Sequence, residues 1–189
     1  MNDLKITCTN INCPERTGGE CNAGLGIDTD EMLAELFLSE SNAIEGITDE
    51  KSLKQAIHAW HYLIEQPILH GGVILKTHKI LMLNQPLYPN ERGYWRRVPV
   101  WIGGHEGIDY HGIPEAIADW IHLGESIKTA EYPAEWIKQL HIHYETIHPF
   151  VDGNGRTGRM FMNYQRIKAG LPLLIIFEAD RQSYYDWFK

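Results

Sequence analysis

Twelve consecutive residues constrain this chain more than any other stretch: His148-Pro149-Phe150-Val151-Asp152-Gly153-Asn154-Gly155-Arg156-Thr157-Gly158-Arg159. Trp136 to Ile147 before them carries apolar residues at helical spacing, and so does Met160 to Ala169 after them. The spacing predicts a tight polar loop that opens directly into a helix. Gly153 and Gly155 permit positive φ and close approach of a ligand to the backbone. Asn154 suits an N-cap and tolerates turn geometry. A glycine-containing turn feeding a helix leaves free N–H groups at the positive end of a dipole, which is an anion site. Arg156 and Arg159 are three apart and share a face of the first turn. Guanidinium forks match phosphate oxygens. Asp152 cannot favour phosphate by itself, but one carboxylate plus phosphate oxygens suits Mg²⁺. His148, at the loop start, is suited to take a proton from an incoming hydroxyl. The residues therefore ask for a nucleotide polyphosphate, Mg²⁺ and a hydroxyl nucleophile. Singly, a Gly-Asn-Gly is commonly a plain turn and a His before Pro commonly structural. Their combination, in this order at a loop-to-helix junction, favours chemistry.

A chain of 189 residues fits one domain with a proper core. Its net charge of −8, with His neutral, argues against a nucleic-acid partner, which would meet a basic face. It leaves room for a nucleotide site, which needs only local positive charge. No apolar run approaches the ~20 residues of a membrane span. Met1 to Asn10 lacks a signal-peptide layout, so a cytoplasmic location without a membrane partner is expected. Cys8, Cys13 and Cys21 are odd in number, form no CxxC pair and lie far from His58, the nearest histidine. Free thiols are favoured over a zinc site. Residues 1–27 read as an irregular extension and residues 28–189 as one domain.

From Asp28 or Thr29, the positions of Met32, Leu33, Leu36 and Phe37 predict a helix that runs to Glu45 and stops at Gly46. Ser41 and Glu45 are four apart and share a face of it. A glutamate at a helix C-terminus opposes the dipole, which invites a reason for its presence. Thr48 is expected to cap a second helix, with Leu53, Ala56, Ile57, Trp60, Leu63 and Ile64 at helical spacing up to Pro67. A third runs from about Gly72 to Leu83, with His78 in its apolar stripe as a hydrogen-bonded core histidine. Residues 84–112 lose this period. Within them Arg97 to Ile102 alternates, with Val98, Val100 and Ile102 on one side, Pro99 marking an edge and Gly103-Gly104 a turn. That is a surface hairpin or an edge that pairs with a target peptide. Pro114 opens a helix with Ile117, Trp120, Ile121 and Leu123 inward. Pro133 opens the next, with Trp136, Ile137, Leu140, Tyr144 and Ile147 inward. His141 and His143, two apart, splay to different faces and read as core or surface histidines rather than metal ligands. Beyond the loop, Met160, Phe161, Tyr164 and Ile167 form a buried face that ends at Gly170. Leu171 to Phe177 is strand or buried connector, and Arg181 to Phe188 starts a last helix.

The twelve-residue loop closely resembles the Fic-family signature, His-x-Phe-x-(Asp/Glu)-Gly-Asn-Gly-Arg-x-x-Arg, and matches it at every fixed position from His148 to Arg159. The resemblance implies an all-α Fic fold, a helical bundle with a short β-hairpin flap. It implies transfer of AMP from ATP to a Tyr, Ser or Thr hydroxyl of a target protein, with release of pyrophosphate. His148 would be the general base, Asp152 the Mg²⁺ ligand and Phe150 the anchor of the loop in the core. Gly153, Asn154, Gly155 and Arg156 would cradle the phosphates, and Arg159 would hold the terminal one. Ser41-x-x-x-Glu45-Gly46 is similar to the family's inhibitory-helix signature, (Ser/Thr)-x-x-x-Glu-(Gly/Asn). That similarity implies a helix over about 29–45 whose Glu45 pairs with Arg159 and competes with the phosphate. Val98, Val100 and Ile102 would belong to the flap that aligns the target, and Tyr184-Tyr185 resembles a tyrosine pair near the nucleotide base. Family members often continue with more helix beyond the position of Lys189, which implies a differently built far side of the base pocket. Relatives often dimerise, so a homodimer is a further expectation. Three functions remain open at this point: a self-inhibited adenylyltransferase, a bifunctional enzyme in which Glu45 also helps remove AMP, and a non-catalytic ATP-binding regulatory module. The intact His148 argues against the last. Kinase-like relatives depart from Gly-Asn-Gly-Arg, and this chain does not.

Overall fold

Apolar periodicity resolves into seven α-helices and one minimal β-ladder among the described residues, 29–189 of a computed structural model. The helices are α1 (Thr29–Ile44), α2 (Glu50–Ile64), α3 (Gly71–Leu81), α4 (Ile113–Glu125), α5 (Pro133–Ile147), α6 (Asn154–Lys168) and α7 (Arg181–Tyr185). The strands are β1 (Trp101–Ile102) and β2 (His105–Glu106). The expected extension over 1–27, with Cys8, Cys13 and Cys21, lies outside the described residues. No helix among the described residues is long and apolar enough to cross a membrane.

The bundle is built around α6, which touches α1, α2, α3 and α5. Every residue from Arg156 to Gln165 is buried. A helix buried all round is normally apolar throughout. This one also buries Arg156, Thr157, Arg159, Asn163 and Gln165. Its apolar face packs on α4 and α5 through Trp120, Tyr144 and Phe161, with ring centroids 5.2 and 5.4 Å apart along that chain of contacts. Asn163 donates to the Leu174 carbonyl at 3.0 Å and accepts the Leu174 N–H at 2.7 Å. Leu171 to Phe177 is therefore an unpaired connector pinned by a side-chain amide, not a strand.

Several boundaries differ from the sequence expectation for local reasons. Asp49, not Thr48, caps α2: its carboxylate accepts the Ser52 N–H at 2.9 Å and the Ser52 hydroxyl at 2.7 Å. α3 starts at Gly71 because the His70 ring accepts the Gly72 N–H. Leu123 and Ile167 are exposed rather than inward, because the last turns of α4 and α6 run past the edge of the core. The hairpin is shorter than Arg97–Ile102. Only Trp101↔Glu106 and Ile102↔His105 pair, around a turn in which Gly103 (φ 55°) and Gly104 (φ 92°) both take positive φ. Such a two-residue turn matches the twist of its strands. Pro99 has no N–H to extend the ladder, and the Val98 carbonyl is taken by Arg96.

Candidate active site

α5 ends on His148, the one non-glycine residue with positive φ among those described (φ 47°, ψ 63°). Left-handed geometry costs a non-glycine residue about 1–2 kcal/mol, so neighbours must hold it. Arg96 does so. Its buried guanidinium donates to the His148 carbonyl at 2.8 Å, to Val98 at 3.0 Å and to Ile108 at 2.8 Å, and its N–H donates to Pro149 at 2.9 Å. One arginine thus ties the segment over 84–112 to the start of the loop. The His148 ring lies with Nδ1 3.2 Å from the Glu145 carbonyl. Nδ1 therefore carries the proton and Nε2 keeps a lone pair. Burial lowers the pKa of the ring, which keeps it neutral and basic at ordinary pH.

The loop then dives into the core. Phe150 is fully buried and stacks on His78 at 3.7 Å. His78 Nδ1 accepts the Gly93 N–H at 2.9 Å, so Nε2 donates to the Asp152 carbonyl, also at 2.9 Å. Burial takes this ring down to about 4, so it is neutral. The expected core histidine is there, and it holds the loop from below. Asn154 is not the N-cap. Gly153 takes that position with φ 81°, where a Cβ would lie 2.7 Å from Met82 Sδ. The Asn154 side chain turns back, accepting the Phe150 N–H and donating to the Phe150 carbonyl, both at 2.9 Å. An amide satisfies both halves of that buried peptide unit, which a simple acceptor cannot.

At the start of α6 the N–H groups of the first turn have no intrahelical partner. They face a cavity of about 120 Å³ whose lining includes Asp152, Gly153, Asn154, Gly155, Arg156 and Glu45. Asp152 accepts the Gly153 N–H at 2.7 Å and lies 3.8 Å from Arg156, with its side chain mostly exposed. One accessible carboxylate beside an anion site fits Mg²⁺, which keeps several waters and takes phosphate oxygens as its other ligands. Arg156 is buried against Met82 Sδ at 3.2 Å, and its Nε has no hydrogen-bond partner among the described residues.

Arg159 is buried and carries four contacts. Nε donates to Ser41 Oγ at 2.8 Å, and Nη2 donates to the Ser41 carbonyl at 2.9 Å and to Glu45 Oε1 at 2.7 Å. Nη1 donates to the Tyr184 hydroxyl at 3.3 Å. Burial pulls the pKa of this guanidinium down, but Tyr184 and Glu45 more than offset that, and the net shift is upward. Ser41 and Glu45, singled out by their spacing, therefore meet an arginine more than a hundred residues away. Gly46 closes α1 with φ 73°. Gly155 makes room for the pair: a Cβ there would lie 2.5 Å from Glu45 Oε1 and 3.0 Å from Arg159 Nη1.

Glu45 and Arg159 also border a larger cavity of about 680 Å³ that runs past His148 between Ile102 on the hairpin and Tyr184, Tyr185 and Phe188. Of the three flap residues only Ile102 lines it. Val98 is exposed, and Val100 lies outside the lining, accepting the Gly107 N–H through its carbonyl at 2.8 Å. Sequence reasoning missed two residues here, Arg96 and Glu145, while His141 takes the core place that was one of its two readings. Arg96 left no signal, since its partners are carbonyls. His141 is buried and meets the Tyr184 hydroxyl at 2.9 Å. Glu145 is buried on the inner face of α5, where burial raises its carboxyl to about 7. An acidic residue three before His148 on an otherwise apolar face was the available clue.

The Fic/DOC family model matches residues 71–165. The protein adenylyltransferase Fic of Drosophila willistoni is 36% identical over 104 residues, which are 53% of this chain and 20% of that protein. The protein adenylyltransferase Fic of Culex quinquefasciatus is 35% identical over 104 residues, again 53% of this chain and 20% of that protein. The chain thus spans about a fifth of the length of these curated relatives. Among solved structures, a Fic-domain-containing signalling protein from Bacteroides thetaiotaomicron superposes with a TM-score of 0.70 at 19% identity, over 82% of this chain and 70% of that one. Fic-1 of C. elegans superposes with a TM-score of 0.69 at 23% identity, over 84% of this chain and 54% of that one.

Proposed function

The chain belongs to the Fic/DOC family, and from that premise we propose that it transfers AMP from ATP to a hydroxyl side chain of a target protein, under restraint by its own α1. The observation that carries this reading is the set of partners around Arg159. The guanidinium that would hold the terminal phosphate is occupied by Glu45, the residue just beyond α1, at 2.7 Å. A carboxylate and a phosphate compete for the same donors. With Glu45 in place, the polyphosphate cannot seat in the orientation that exposes its α-phosphorus.

With Glu45 withdrawn, the chemistry is that of a positioned displacement. ATP lies with its phosphates on the N-terminal turn of α6, where free N–H groups and the dipole favour negative charge. His148 Nε2 takes the proton of the target hydroxyl. The oxygen attacks the α-phosphorus, and the bond to the bridging oxygen of the β-phosphate breaks. Arg156 and Arg159 meet the charge of the leaving pyrophosphate. Asp152 would hold Mg²⁺, which supplies further neutralisation of phosphate charge when bound. Ile102 and the hairpin would present the target segment at the cavity mouth. Glu45 faces both cavities, which supports a second activity on the same site: directing water at an AMP-modified target.

The test is incubation of wild type and His148→Ala with α-labelled and γ-labelled ATP and Mg²⁺, scoring label on protein. The reading expects label from α-labelled ATP only, abolished by His148→Ala. Incorporation from γ-labelled ATP alone would indicate a kinase instead.

A further inference from the structure

Behind the proposed base sits a carboxylic acid that no step above employs. Glu145 lies one turn before His148 on α5, and its Oε2 is 3.8 Å from His148 Nδ1. Its Oε1 is buried with no hydrogen-bond partner among the described residues. The carboxyl occupies a gap that Gly158 leaves open. A Cβ at Gly158 would collide with Glu145 Oε1 and lie 3.0 Å from His141 and Tyr144 ring atoms. The same residue lines the larger cavity beside His148. A buried carboxyl with an unmade hydrogen bond is costly to keep.

From these contacts we propose that Glu145 is a positioning residue for His148: its backbone carbonyl orients the ring through Nδ1, and its carboxylate, 3.8 Å away, steadies the imidazolium formed when Nε2 takes the hydroxyl proton. The kinetic consequence rests on the adenylyl-transfer reading; the electrostatic one does not. The proton balance is simple. The hydroxyl proton moves to Nε2, the other proton stays on Nδ1 and is donated to the Glu145 backbone carbonyl, and the pair of imidazole and carboxylate goes from a net charge of −1 to neutral. The groups around the Glu145 carboxyl are His141, Tyr144 and His148 of α5, Arg159 of α6, Glu45 just beyond α1, and Tyr184 of α7. Burial raises the Glu145 carboxyl to about 7, with Arg159 opposing and Glu45 assisting. The His148 ring falls below its ordinary value, again through burial. The proposal requires that these two groups, 3.8 Å apart, titrate as a pair.

The direct experiment follows the ring ¹⁵N signals of His148 in the whole chain from about pH 5 to about pH 9, assigned by difference from His148→Ala. Wild type should titrate in two steps, one of them shared with Glu145. In Glu145→Gln a single step should remain, lower by about one pH unit or more, because the imidazolium has lost its nearest counter-charge. A single wild-type step near the ordinary histidine value overturns the proposal, with no variant needed. So does a His148 titration that Glu145→Gln leaves unmoved. Should Glu145→Gln not fold, Glu145→Asp keeps the charge one methylene further away and should show an intermediate shift.

The kinetic arm uses a Glu45→Gly background and α-labelled ATP. Glu145→Gln should lower kcat about tenfold or more with KM for ATP within about twofold, and should erase the fall in rate as pH drops through neutrality. Unchanged pH profiles overturn the proposal. Absence of any label in the Glu45→Gly background tells against adenylyl transfer, while the ¹⁵N titration still decides the pair.

Discussion

Asn154→Ala is expected to damage this protein more than its position in a loop suggests. The Asn154 side chain is buried and makes two hydrogen bonds of 2.9 Å to the N–H and carbonyl of Phe150, which is itself fully buried. Alanine leaves both peptide groups without partners in a place water cannot reach. Each unsatisfied group costs about 1–3 kcal/mol, so the loss is about 2–6 kcal/mol. Against a stability of about 5–15 kcal/mol for a domain, that is a large fraction. Urea titration followed by circular dichroism is the assay, with a lowered midpoint and an unchanged slope as the expected outcome. Asn154→Asp should be nearly as harmful, because a carboxylate oxygen then faces the Phe150 carbonyl that needs a donor. Had Asn154 been an ordinary N-cap, aspartate would be an equivalent residue. A loss below about 1 kcal/mol for both variants would refute the assignment of Asn154 as the closure of the loop.

His78 and His141 are buried neutral, their pKa values pushed down to about 4 and about 3 by burial. Their contribution to stability is full above the ordinary histidine value and is lost as pH falls from about 6.5 toward those values. Glu145, raised to about 7, works in the opposite sense, gaining stability as pH falls from about 7 to about 4.5. Two imidazoles outweigh one carboxyl, so thermal melts should show lower stability at about pH 4 than at about pH 7, and an equal or higher melting temperature at the acid end would contradict this. Arg96→Lys should cost about 2–4 kcal/mol in a denaturant titration, since one ammonium cannot reach carbonyls at His148, Val98 and Ile108 together; a neutral result would remove Arg96 from its role in holding His148. Ser41→Ala deprives the buried Arg159 Nε of its acceptor, so label incorporation from α-labelled ATP should fall between that of wild type and that of Glu45→Gly; a rate no higher than wild type would limit the restraint to Glu45.

The parts of this site that were legible in the sequence are those whose geometry is local. The His148 to Arg159 loop is contiguous, and helical periodicity on both sides dictates the junction. Ser41 and Glu45 were visible because four residues make one helical turn, and their meeting with Arg159 followed from the resemblance. Long-range partnerships were not legible. Asn154 looks like a cap until the Phe150 peptide turns out to need both a donor and an acceptor. Arg96 bonds only to backbone carbonyls, which any residue supplies, so no pattern of side chains announces it. Glu145 reads as a break in the apolar face of α5, and only the gap over Gly158 on another helix gives it a place. The fold class followed from the family resemblance, with the helical periods agreeing, whereas Leu123 and Ile167 were misjudged because periodicity cannot tell where a helix outruns the core. The hairpin shrank for a stereochemical reason already visible in Pro99, whose missing N–H stops the ladder short of Val98.

On the proposed reading, the end of α1 restrains the site by occupying Arg159 through Ser41 and Glu45. The most direct measurement is label incorporated into protein from α-labelled ATP with Mg²⁺, compared between wild type and Glu45→Gly at matched folded concentration. Removing the carboxylate frees the guanidinium donor that Glu45 holds at 2.7 Å, so Glu45→Gly should label strongly and wild type weakly. Equal labelling in two folded proteins would mean that the contact between Glu45 and Arg159 does not govern activity.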